Sequence, residues 1–204
     1  MADPTKVWAD FLNPNVLKRR ILQAGIYLAA FELLKDAVIV HPREFFASDC
    51  VAGRGWMESP SYRENVLSRH PKENPLRASW AWLLDIGAVD ETDTQVLREL
   101  TDARNDFAHE LHSIASGGKI PDFEALFSKL RELLGKIERW WLVNVELETD
   151  PEFIGQAIDP NVIVSGRMVY LNAMYSTALG EEDAAWRFYN EFVASQGDSA
   201  RSSA

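Results

Sequence analysis

Apolar residues recur at three- and four-residue steps along most of this chain, and that spacing predicts helices. Asn13-Pro14 is a cap followed by a proline suited to a first helical turn. After it, Leu17, Ile21, Ala24, Leu28 and Phe31 keep one face apolar to about Val38. His41-Pro42 is read as the end of that helix, because the residue before a proline avoids the helical region. Residues 42–59 read as irregular. A short helix is expected over 61–69, closed by Pro71, and another over 75–87, loaded with Trp80, Trp82, Leu83 and Leu84. The next starts near Asp90 or Thr92 and ends near Gly117-Gly118. Pro121 opens a helix whose stripe of Phe123, Leu126, Leu130, Leu133, Leu134, Ile137 and Trp140 reads as core. Beyond Asp150-Pro151 two last helices are expected, near 162–178 and 181–195, and the small polar stretch 197–204 reads as disordered. Only Val162-Ile163-Val164 looks strand-like, and it suits a buried helix start equally well.

These elements predict an all-α fold. An up-and-down helical bundle fills residues 1–150, a C-terminal helical appendage packs on it over 151–196, and a tail follows. With 204 residues the chain can bury a core without staples. A single cysteine, Cys50, cannot close an intrachain disulfide, which fits a reducing compartment. Residues 1–10 hold no apolar run of the signal-peptide kind, and the most apolar stretch, 24–31, is far short of a membrane span. A cytoplasmic location with no membrane partner is the expectation.

The net charge of −10 argues against a protein that coats nucleic acid indiscriminately. The charge is unevenly spread, however. Residues 1–145 hold 18 basic and 21 acidic side chains, whereas residues 146–204 hold 3 and 10. The bundle is therefore nearly neutral, and a local basic site on it stays open.

The stretch Leu100-Thr-Asp-Ala-Arg104-Asn105-Asp106-Phe107-Ala108-His109-Glu110-Leu111 carries the chemistry. On a helix, Arg98, Asn105, His109 and His112 share one narrow stripe. Val96, Leu100, Ala103, Phe107, Leu111 and Ile114 form the apolar sector. Arg104 falls at the border, among Leu97, Leu100, Ala108, Leu111 and Ala115. An arginine with such neighbours needs a partner or a cleft.

Arg104-Asn105, three residues, then His109, late in an all-α chain, resembles the HEPN domain family (higher eukaryotes and prokaryotes nucleotide-binding). The resemblance covers roughly residues 14–148. It implies a HEPN-like bundle acting as a metal-independent endoribonuclease of the toxin or phage-defence kind, with no cofactor. It also implies a homodimer in which two motif helices meet across a two-fold axis, so that two Arg and two His line one cleft. In that reading His109 moves the proton of an RNA 2′-OH or of the leaving 5′-oxygen. Arg104 forks onto phosphate oxygens, and Asn105 orients the imidazole or holds phosphate. The products are a 2′,3′-cyclic phosphate and a 5′-OH, and DNA is not cut. An antitoxin or regulatory protein is the further partner implied. In HEPN toxins silenced by a nucleotidyltransferase a tyrosine stands two residues after the motif histidine; here that position is Leu111.

The alternative is a non-catalytic HEPN-like module that binds a partner protein or a nucleotide. Mannitol-operon-repressor-like proteins carry a similar Arg-Asn…Ala-His string. For Arg104 and His109 it predicts ordinary helix–helix contacts, such as Arg104 on a carboxylate. Auxiliary RNA contacts are assigned to Arg98, His112 and the cluster Lys18-Arg19-Arg20, with solvated surface as the competing account. Arg63 and His70 make a second formal Arg/His match on a short helix without small neighbours. No metal site is expected, since His109 and His112 lack the four-residue spacing of the zinc motif. The tryptophans of the helices read as core, and Trp56, beside Arg54, as a loop anchor or an exposed aromatic.

Overall fold

The computed structural model describes residues 8–9, 11–47, 50–51, 55–56, 59–70, 72, 74–109, 113, 121–149, 159, 164–180, 186–187, 189–190 and 193. Helices dominate. They are α1 (Pro14–Phe45), α2 (Pro60–Asn65), α3 (Pro75–Asp85), α4 (Glu91–His109), α5 (Phe123–Trp141) and α6 (Gly166–Leu179). A 3-10 turn, Leu67–Arg69, follows α2, and a π-helical segment, Leu142–Glu146, continues α5 into a last turn, Leu147–Thr149. The exception is a two-residue antiparallel pair, Cys50–Val51 with Gly55–Trp56, inside the stretch expected to be irregular. The fold is all-α as expected. Among the described residues no helix is long and apolar enough to cross a membrane. Residues 150–158, Val162-Ile163, most of 181–195 and the tail 197–204 lie outside the described residues; Val164 is exposed and belongs to neither a strand nor a helix, so it is not the buried helix start the sequence allowed.

The helix starts follow from their caps. Asn13, Ser59, Asn74, Asp122 and Ser165 each accept a hydrogen bond from a backbone N–H of the first turn. Asp90 accepts from the Thr92 and Asp93 N–H groups while Asp93 accepts from the Asp90 N–H, a reciprocal box that starts α4. Between α3 and α4 the chain reverses at Gly87, whose φ of +74° suits glycine. The Gly87 N–H bonds the Leu84 carbonyl and the Ala88 N–H the Leu83 carbonyl, which closes α3.

Helix α1 is the central post and packs against α3, α4, α5 and α6. It runs through His41-Pro42 to Phe45, contrary to the expected stop. Pro42 removes one helical hydrogen bond near the end of the helix. Burial offsets the loss: His41 and Pro42 are both inside, and the His41 ring stacks on Trp141 at 4.5 Å. The Phe46 N–H still reaches the Pro42 carbonyl and completes the final turn.

Lys129 on α5 reaches both oxygens of Glu99 at 2.7 Å, and Lys136 reaches Asp90 and Asp93. These pairs set α4 antiparallel to α5. The Lys136 hydrogen bond, with the Asp93 N–H, pulls the Asp90 carboxyl down to about 2. Arg19 beside Glu124 and His41 beside Glu138 show that α1 and α5 run parallel. Trp80, Trp82 and Trp141 are buried, and Trp140 is half-buried. Helix α6 packs on α1 and α5 and buries Leu171 between them.

Candidate functional site

Tyr27 fixes the position of the motif helix. Its hydroxyl donates to the Leu100 carbonyl at 3.0 Å, one turn before Arg104, and its ring meets Phe107 at 4.6 Å. Burial, with Glu99 nearby, pushes the hydroxyl's titration up, so it stays a donor. Leu100, Ala103 and Phe107 are buried and Val96 is half-buried, as the apolar sector requires. The opposite stripe faces solvent: Arg98, Asn105 and His109 are all exposed.

Arg104 is half-buried at the border and reaches two neighbours. Its Nη2 lies 3.6 Å from Glu32 Oε1 on α1, and its Nη1 donates to Asn105 Oδ1 at 3.4 Å. Glu32 also accepts from Lys35 at 2.6 Å. The Lys35 hydrogen bond first, with Arg104 adding to it, holds the Glu32 carboxyl below its ordinary range. Glu32 is the partner that the awkward surroundings of Arg104 call for. Nothing in the spacing of α1 singles Glu32 out beforehand.

Arg104 and Asn105 are joined; His109 is not joined to Arg104. Five residues of α-helix turn the two side chains about 140° apart around α4. His109 is the last described residue of α4. Leu111 and His112 fall outside the described residues.

The basic cluster Lys18-Arg19-Arg20 lies toward the same end of the bundle. Arg20 stands seven residues, about 10 Å, along α1 from Tyr27, the residue that touches Phe107. Lys18 and Arg19 are exposed, Arg20 is half-buried, and Arg19 lies 3.9 Å from Glu124. The second Arg/His match is divided between two elements. Arg63 is on α2, whereas the His70 Nδ1 accepts from the Lys72 and Asn74 N–H groups of the following loop. The side chain of Trp56 lies outside the described residues.

Arg98 lines a groove of about 560 Å³ between α3 and α4. Leu76, Arg77 and Trp80 form one wall, and Leu97, Thr101 and Asp102 belong to the other. A second, smaller cavity of about 240 Å³ lies between α5 and α6, beside Arg131, Arg139 and Ser165. Under it Glu138 is buried, accepting from His41 Nε2 at 2.9 Å and Arg167 Nη1 at 3.1 Å. A charged residue inside the apolar stripe of α5 is the sequence signal that marks this cluster. Among the described residues no three His, Cys, Asp or Glu side chains gather as a metal site. In comparisons with known proteins the chain matches no family model, no curated protein and no solved structure.

Proposed function

We propose that the chain is a metal-independent endoribonuclease of the HEPN type, acting as a homodimer. The observation that carries this reading is the surface formed by Arg104, Asn105 and His109. All three stand on one rigid helix, with Asn105 and His109 open to solvent and Arg104 half-open. The divergence of Arg104 and His109 suits a cleft shared by two chains, in which the arginine of one copy and the histidine of the other approach one phosphate. His109 takes the proton from the 2′-OH, whose oxygen attacks the adjacent phosphorus. A phosphorus–oxygen bond forms as the bond to the 5′-oxygen breaks, and an imidazolium returns a proton to that oxygen. Arg104 stabilises the charge of the pentavalent state, and Asn105, bonded to the guanidinium, aims it. Lys18, Arg19 and Arg20 extend positive charge at the same end of the bundle, and His112 is assigned an auxiliary contact.

The test is cleavage of a labelled single-stranded RNA in excess EDTA by wild type and by His109→Ala, at concentrations where the dimer is present. Loss of at least about a hundredfold in the variant is expected for a missing general acid–base. Equal activity in both, or none in either, refutes the reading.

A second reading rests on a specific contact, the Arg104–Glu32 pair. If that pair is the whole role of Arg104, the chain is a non-catalytic helical module that binds a partner protein or a nucleotide. The module predicts that His109→Ala changes nothing measurable, whereas Phe107→Ala unfolds the protein.

A further inference from the structure

We propose that the groove between α3 and α4 seats a nucleotide of single-stranded RNA a few positions along the strand from the one being cut. This inference rests on the ribonuclease reading. Its first support is direction. Thr94, Leu97, Arg98, Thr101 and Asp102 bring α4 into the groove. At about 100° per residue they centre on the same face of the helix as Asn105 and His109. A strand lying along that face leads from Arg98 to His109, a rise of about 16 Å.

The second support is chemistry. Arg77 and Arg98 stand exposed on the two walls, and among the described residues neither guanidinium has a carboxylate partner. Two free guanidiniums facing one groove suit a phosphodiester, which each can fork. Between them the half-buried Leu76 and Leu97 and the edge of Trp80 supply an apolar floor. The Trp80 indole N–H is spent on Thr94 at 3.0 Å, so the floor is held in place. At the motif end, Asp102 is an exposed acceptor, and the Thr101 hydroxyl gives its proton to the Leu97 carbonyl and keeps its lone pairs. Acceptors alone suit the two protons of the exocyclic amino group of adenine, cytosine or guanine better than uracil, which offers only its ring N3–H. A volume of about 560 Å³ falls within the range of pockets that hold small molecules.

The experiment uses the full chain carrying His109→Ala, which cannot cut, and a short fluorescent single-stranded oligoribonucleotide. Binding is followed by anisotropy over a range of salt. Arg77→Gln and Arg98→Gln are each expected to weaken binding about tenfold, as for one hydrogen-bonded charge. Each should lower the slope of log K against log salt by about 0.7, the loss of one phosphate contact. Thr101→Trp fills the groove and should weaken binding at least as much. Both arginines are exposed, so unchanged thermal midpoints will show that the fold is intact. Asp102→Asn should reduce discrimination between cytosine-rich and uracil-rich strands. RNA bound with the same affinity and salt slope by all groove variants overturns the groove and leaves the ribonuclease reading standing. No RNA binding by the His109→Ala parent, with no cleavage by wild type, overturns both.

Discussion

Glu138 is the clearest place to weigh a buried charge in this fold. Its side chain is 7% exposed and that of His41 is 6% exposed. Replacing Glu138 with alanine strips the anion from His41 and Arg167 together. Breaking a buried pair costs about 3–5 kcal/mol when the surviving charge is trapped. Here two features soften the loss. Arg167 is a quarter exposed and keeps Asp36 at 3.4 Å, so its guanidinium can turn to water. The His41 ring keeps its stack on Trp141. The expected loss for Glu138→Ala is therefore about 2–3 kcal/mol, or roughly 5–10 °C in Tm for a chain of this size. Glu138→Gln keeps the shape and one acceptor and should cost about 1 kcal/mol. Urea and thermal unfolding at neutral pH, followed by circular dichroism, measure both. A loss below about 0.5 kcal/mol for Glu138→Ala would refute the reasoning, because the cluster would then carry no net stability.

The pH dependence has a definite sign. Burial raises the Glu138 carboxyl, but the His41 and Ser165 hydrogen bonds and the Arg167 charge hold it, on balance, below its ordinary value of 4.5. A carboxyl that titrates lower in the folded chain stabilises it fully above that ordinary value. The contribution fades as the pH falls through the folded value. Wild type should therefore lose more of its unfolding midpoint than Glu138→Gln as the pH is lowered from about 5 toward 3. Parallel curves for the two proteins would show that Glu138 is not a source of the acid sensitivity.

The remaining predictions probe the motif helix and its frame. Tyr27→Phe removes one buried hydrogen bond but leaves the ring against Phe107, so a loss of about 1 kcal/mol is expected in a thermal melt. Gly87→Ala puts a Cβ at a φ of +74° and should cost about 1–2 kcal/mol, read as a shifted urea midpoint with the same m-value. Arg104→Lys keeps the charge but loses the fork, and kcat/KM for RNA should fall at least about tenfold. Glu32→Gln frees Arg104 from its carboxylate, and RNA should then bind a few-fold more tightly in an anisotropy titration. Unchanged affinity would show that Arg104 makes no RNA contact that Glu32 limits.

Helix periods were legible where one face of an element alone decides burial. The stripe of α5 and the apolar sector of α4 lie inside as their spacing requires, because three- and four-residue steps need no knowledge of the neighbour. The misreading at His41-Pro42 has the opposite cause. The rule for proline is local, whereas the burial of that turn against Trp141 is supplied by a helix about a hundred residues away. Arg104 shows the same divide within the candidate site. Its apolar flanks announce that it needs a partner, but the choice of Glu32 depends on the antiparallel register of α1 and α4, which Tyr27 fixes across 73 residues. Arg104 and His109 point about 140° apart on a single helix, whatever that helix packs against. In the proposed dimer that divergence is met by pairing the arginine of one copy with the histidine of the other. A monomeric variant that still cut RNA at the wild-type rate would refute the shared cleft and leave the proposed chemistry standing.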